Sequence, residues 1–209
     1  MKTFLNSVLA GVAIGIAGTV NLSVENRYLG AALFGFGLFL ILCYSFKLYT
    51  GAVGYLVCQK RWFAYLGFLL NILLGNLVGT FLVGWSMRQT RCVGVVERAV
   101  ATCDVKLADG GVSLFILSLF CGILMYIAVE SFRRKGELPD LFRAMLVFLC
   151  VMIFILSGFE HCIANAFYFA AAGYSPERWG SIGGCMGLMI LGNGVGGVLL
   201  PLADKVRMD

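Results

Sequence analysis

Phe154-Ile155-Leu156-Ser157-Gly158-Phe159-Glu160-His161-Cys162-Ile163-Ala164-Asn165-Ala166-Phe167-Tyr168-Phe169 is the stretch on which the reading of this chain turns. The chain's one histidine, His161, stands there beside Glu160, inside a run otherwise apolar enough to cross a bilayer. An ionisable group at membrane depth costs about 2.5 to 3.5 kcal/mol on insertion scales, so such groups face a bundle interior or a water-filled path and carry function. The stretch therefore points to a membrane conduit.

Composition agrees with that reading. Of 209 residues, 60% are apolar, only 13% are charged and 27 are glycine, which describes a polytopic all-α membrane protein whose single transmembrane domain uses the whole length. The net charge of +5 fits basic residues held in loops on the cytoplasmic side. Nucleic-acid binding is excluded, because no basic segment interleaved with aromatic residues exists. Cys43, Cys58, Cys121, Cys150, Cys162 and Cys185 lie in or beside apolar spans, where thiols act as small packing residues, and they lack metal-ligand spacing. No metal or cofactor is implied, and a haem held between two histidines is excluded by the single histidine. Cys92 and Cys103 share one polar connection, where a disulfide stays open.

Outward from the opening stretch, the hydrophobic pattern predicts six spans. Phe4–Val20 is read as the first helix, since no small-residue cleavage site follows it. Tyr28–Cys58 is too long for one span: its thirty-one residues would extend about 46 Å as continuous helix, against a hydrocarbon core of about 30 Å. It also carries Lys47 near its middle, followed by Tyr49-Thr50-Gly51, so a break into two half-helices is predicted there. A tilted helix with a snorkelling lysine is the alternative. Trp62–Trp85 is the third helix and contains Gly75-Asn76-Leu77-Val78-Gly79. The longest polar connection, Arg88–Gly111, separates it from a fourth helix at Val112–Val129.

Leu141–Ala172 is again over thirty residues and again interrupted, by Glu160, His161 and Asn165. Lys47 lies 19 residues after Tyr28, and Glu160 lies 19 residues after Leu141. The sixth helix, Gly180–Leu200, repeats the third with Gly192-Asn193-Gly194-Val195-Gly196. Two three-helix halves, 1–87 and 112–209, with an extracytoplasmic loop at 88–111, form an internal repeat. Three spans is an odd number, so the halves are inverted, and a solute path is expected at their interface. The glycines at four-residue spacing read first as close helix packing, with Asn76 and Asn193 steadying the loops by hydrogen bonds. With both termini inside, nine basic residues lie on the inner side and six on the outer, which puts the termini in the cytoplasm.

Ser157–Phe167 resembles the F-E-H-x-x-A-N-x-F signature of the formate/nitrite transporter family. Leu48-Tyr49-Thr50-Gly51 is similar to its L-F-T-G loop, and Leu191–Gly197 to its G-N-x-x-G-G sixth helix, in the same order along nearly the whole chain. The resemblance implies an aquaporin-like fold with helices 2 and 5 broken, a homopentamer with a pore in each protomer, and transport of a small monovalent anion across the cell membrane by a protein that is not an enzyme. It implies that His161 is the central pore histidine with Thr50 as its partner, and that Phe34, Phe154, Leu38, Leu48 and Tyr49 narrow the pore. Lys106, with Lys47 as a second cation, would attract the anion, and Glu160 would buttress the loop or hold compensating charge. Lys47 stands where the family has an acidic residue, Tyr49 replaces phenylalanine, and Gly122 replaces a pore-facing asparagine. Formate or nitrite leads the substrate expectations, with hydrosulfide, acetate or lactate as alternatives. A neutral-solute pore is a further one, though the paired N-P-A loops of such pores are absent.

Overall fold

The computed structural model describes residues 1–208, and among them every regular element is helical. In chain order these are α1 (Lys2–Ser23), α2 (Arg27–Cys43), α3 (Tyr49–Ala52), α4 (Trp62–Met87), α5 (Val93–Ala108), α6 (Gly111–Arg133), α7 (Asp140–Leu156), α8 (Cys162–Ala172) and α9 (Trp179–Met208). Short 3-10 turns occupy Val53–Cys58 and Pro176–Arg178. Four segments, α1, α4, α6 and Pro176–Arg207, are long and apolar enough to cross a membrane. Large apolar side chains such as Phe36, Phe63, Phe81 and Phe120 cover the outside of the bundle, a surface suited to lipid tails or neighbouring protomers.

The chain leaves helical geometry between Cys43 and Tyr49, and again between Leu156 and Cys162. These two interruptions share one backbone design, hydrogen bond for hydrogen bond. Phe46 N–H donates to Ile41 O at 2.9 Å and Phe159 N–H to Phe154 O at 2.9 Å. Lys47 N–H reaches Asn6 O of α1 at 3.3 Å, and Glu160 N–H reaches Leu117 O of α6 at 3.3 Å. Each loop turns on a left-handed residue, Ser45 at φ 56° in the first and Gly158 at φ 71° in the second. Glycine takes that conformation without strain, whereas serine carries a Cβ that crowds its own carbonyl.

What holds each loop is an asparagine from a neighbouring helix. Asn76 of α4 accepts from Tyr49 N–H at 2.8 Å and donates to Ser7 O and Lys47 O, both at 2.8 Å. Asn193 of α9 accepts from Cys162 N–H at 2.8 Å and donates to Ser118 O at 2.7 Å and Glu160 O at 2.8 Å. Each amide, itself buried, thus ties together a helix start, a loop carbonyl and a second helix. Breaking a helix inside an apolar bundle strands backbone groups away from water, and these amides satisfy them.

The glycines flanking both asparagines serve packing. A Cβ at Gly79 would run into Val8 O of α1, and one at Gly196 into Leu119 O of α6, so α1–α4 and α6–α9 cross with backbones touching. Gly122 belongs to this contact too: a Cβ there would meet Asn193 O and, at 2.9 Å, Gly197 N. The pore-facing position expected for Gly122 is therefore corrected, since it sits at the α6–α9 crossing.

The connection 88–111 carries a helix, α5, where the polar composition suggested a loop. Its Val95, Ala99 and Cys103 recur every fourth residue and are buried against the bundle. Arg98 on α5 donates to Leu22 O at 2.9 Å and Val24 O at 3.2 Å, closing the end of α1. Asp104 accepts from Tyr174 at 2.7 Å and Arg178 at 2.8 Å, and the tyrosine hydroxyl first, then the guanidinium, hold its carboxyl below its usual range. A Cys92–Cys103 disulfide is ruled out by α5: Cys92 caps its start, Cys103 lies eleven residues on, about 16 Å along the axis at 1.5 Å per residue, far beyond a disulfide's reach. All eight cysteines are free thiols.

Candidate functional site

The two loops meet at Thr50 and His161. His161 is the residue immediately before α8, and its Nδ1 accepts the Ala164 N–H at 3.1 Å, capping that helix. A ring nitrogen that accepts carries no hydrogen, so Nε2 holds it and donates to Thr50 Oγ1 at 2.9 Å. The neutral imidazole is thus fixed in one tautomer from two sides. Thr50, the second residue of α3, is left with its own hydroxyl hydrogen, which has no other partner among the described residues.

Aromatic rings enclose this pair. Phe154 lies over the imidazole with centroids 5.6 Å apart and planes 25° from parallel, and Phe34 meets Phe154 edge-on at 5.8 Å. Both phenylalanines are buried, as are His161 at 2% exposure and Thr50 at 1%. The sequence-predicted group Phe34, Phe154, Thr50 and His161 is brought together in one place.

Glu160 points the other way from its neighbour. Its carboxylate receives Lys106 Nζ at 2.8 and 2.6 Å and Asn165 Nδ2 at 2.7 Å. The Lys106 side chain is only 13% exposed and that of Glu160 6%. Lys106, expected as an anion attractor, has its charge matched by Glu160, while Asn165 spans Glu160 and Met189 Sδ of α9.

Leu38 and Leu48 line a cavity of about 740 Å³. Lys47 lines it together with Arg133, Lys135 and Arg143, and no carboxylate does. Lys47 occupies in the first loop the place that Glu160 holds in the second, as their matching backbone bonds show. Tyr49 stands outside the cavity's lining: its hydroxyl donates to Ile190 O of α9 at 3.2 Å, beside Gly194. The hydroxyl that distinguishes it from phenylalanine thus serves the loop–α9 contact. The cations Arg133, Lys135 and Arg143 escaped the sequence reading as site residues, since charge near a helix end signals topology as readily as a site. Asn76 and Asn193 are bonded to the first and second loop respectively.

A helical bundle with apolar flanks, opened at its centre by two asparagine-tied loops that join a buried hydroxyl to a buried imidazole, belongs to the membrane proteins. The formate/nitrite transporter family model matches residues 1–203, and the chain belongs to that family. The formate channel FocA of Escherichia coli K12 is 28% identical over 217 residues, covering 88% of this chain and 72% of that one. FocA of Haemophilus influenzae is 23% identical over 214 residues, with 87% and 72% covered. A solved pentameric formate channel with formate bound aligns with TM-score 0.83 at 27% identity, covering 99% of this chain and 96% of that chain. An ion channel of the same family aligns with TM-score 0.82 at 23% identity, covering 100% and 90%. Channels are what these relatives are, and small-anion channel function is the family-level conclusion for this chain.

Proposed function

We propose that this chain forms a pore for small monovalent anions, formate or nitrite foremost, that runs between the two loops and past the Thr50–His161 pair. The observation that carries the reading is that pair: a fixed donor, buried beside Phe154 and Phe34 at the meeting of the two loops. In this reading six spans cross the membrane, the second made of α2 and α3 and the fifth of α7 and α8, and the halves 1–87 and 112–209 are inverted copies. The matched loops, asparagines and glycine crossings support it. Five protomers assemble, as in the solved pentameric relative, and both termini face the cytoplasm of a cell membrane.

The chemistry is set by desolvation. Carrying a bare anion through a low-dielectric constriction costs several kcal/mol even after relaxation. Protonating a small carboxylate with a pKa near 4 at pH 7 costs roughly 4 kcal/mol. The pair bridges these alternatives. His161 Nε2–H polarises Thr50, whose free hydroxyl hydrogen is offered to the passing oxyanion, and the positive end of α8 faces the same point. Making an imidazolium would break the Ala164 bond to Nδ1, so the ring acts as a neutral hydrogen-bond donor through Thr50, and any proton the anion takes up comes from solution. This makes flux rise with acidity on the entry side.

The test is a panel of formate, nitrite, hydrosulfide, acetate and lactate in vesicles holding the purified protein, across pH and with and without a membrane potential. Saturable flux of one or more of these, changed in pH dependence by His161→Asn, supports the reading. Swelling with glycerol or water and no anion flux would establish a neutral-solute pore instead.

A further inference from the structure

We infer that the basic cavity beyond Leu48 is a binding site for a multivalent oxyanion of the phosphate or polyphosphate class, distinct from the permeating ion. Lys47, Arg133, Lys135 and Arg143 line one cavity with no acidic side chain among them. Neither Lys47 nor Lys135 has an ion-pair partner among the described residues. Arg143 is paired with Asp140, which lies outside the lining, and Arg133 packs its guanidinium 4.5 Å over the Tyr55 ring, whose hydroxyl is bonded to Glu130. Two cations are therefore uncompensated, and two more are only partly so.

Arg143 adds a separate observation. It is buried at 6% exposure, and its Nε has no hydrogen-bond partner, although its other nitrogens bond Phe132 O and Asp140. That Nε is enclosed by protein, so Arg143 adds charge to the cavity wall rather than a free donor. Asp140 offsets Arg143, which leaves Lys47, Lys135 and Arg133 on one lining without a carboxylate on that lining, and a single negative charge would offset only one of them. A cavity of about 740 Å³ holds on the order of 25 water volumes at about 30 Å³ each, room for a large hydrated polyanion. Leu38 and Leu48, both almost fully buried, form the apolar part of the same lining. The asymmetry of the repeat points the same way: in the second loop the corresponding charge, Glu160, is consumed by Lys106, whereas Lys47 is free to face a ligand.

The test is calorimetric titration of the purified protein in neutral detergent with inorganic tripolyphosphate, a binding measurement that does not depend on flux, so its outcome is separable from that of the pore reading. One saturable site per protomer is expected, weakened at least tenfold in Lys47→Gln/Lys135→Gln. Lys135→Gln alone, at an exposed side chain, should weaken it in the same direction. Lys205→Gln, a basic residue outside this cavity, should leave it unchanged. A parallel titration with short-chain phosphatidic acid separates the sources: binding of tripolyphosphate assigns a free anion, and binding of phosphatidic acid alone assigns a lipid headgroup. Absence of saturable binding by either, or equal weakening by Lys205→Gln, would overturn the inference.

Discussion

Replacing Thr50 by valine isolates the donor on which the pore reading rests. Valine keeps the shape of threonine but removes both the acceptor for His161 Nε2–H, now 2.9 Å away, and the free hydroxyl. A hydrogen bond to a charged group contributes about 1.5 to 3 kcal/mol, which corresponds to about a ten- to 150-fold loss of flux at subsaturating anion. Thr50→Ser retains the hydroxyl and loses one methyl, about 0.8 kcal/mol of burial, so its flux should stay within a few-fold of the parent. The assay is initial formate flux in vesicles with a pH gradient, read beside 15N spectra of histidine-labelled protein. Because the chain has one histidine, the spectrum reports His161 alone. In the parent at pH 7, Nε2 should be protonated and Nδ1 bare, and Thr50→Val should keep Nδ1 bare because Ala164 still donates to it. Parent-like flux in Thr50→Val, or hydrogen on Nδ1 in the parent, would refute the argument from geometry.

Other outcomes follow from the same contacts. Lys106→Met strands the buried Glu160 carboxylate and should destabilise the protein by about 3 to 5 kcal/mol; most of that should return in Lys106→Met/Glu160→Gln, as read by thermal denaturation in detergent, and a purely electrostatic loss of flux without destabilisation would contradict it. Asn193→Leu and Asn76→Leu each delete three buried hydrogen bonds and should cost about 3 to 6 kcal/mol apiece, with near-equal losses because the two sets correspond; a loss below about 1 kcal/mol in either would show that the loops do not need these amides. Gly158→Ala places a Cβ in the left-handed region, where nothing crowds it, and should cost about 1 to 2 kcal/mol from backbone strain alone. Ser45→Gly relieves the same strain in the first loop and should stabilise by up to about 1 kcal/mol; equal melting temperatures for parent and variant would remove strain as the explanation.

Much of the bundle was legible because membrane burial leaves a coarse mark. Glu160 and His161 within an apolar run located one interruption, Lys47 located the other, and the repeated glycine–asparagine motif located the helices that brace them. Fine geometry was not legible. The helix α5 hides in a polar segment because only Val95, Ala99 and Cys103, one residue in four, mark its fully buried face. The pairing of Lys106 with Glu160 joins residues 54 apart in sequence, a contact that composition cannot reveal. The side chain of Tyr49 follows from a single hydroxyl choosing the carbonyl of Ile190, which pattern alone does not show. Ser45 carried no sign of its left-handed backbone, whereas Gly158 did.

At Gly79 and Gly196 there is no room for even one methyl group between the helices. The paired rods α1–α4 and α6–α9 are in effect welded, and sliding either past its mate would require their main chains to part first. Whatever regulates passage through this protein has to work within the short suspended loops and the side chains they carry, while the frame around them stays still.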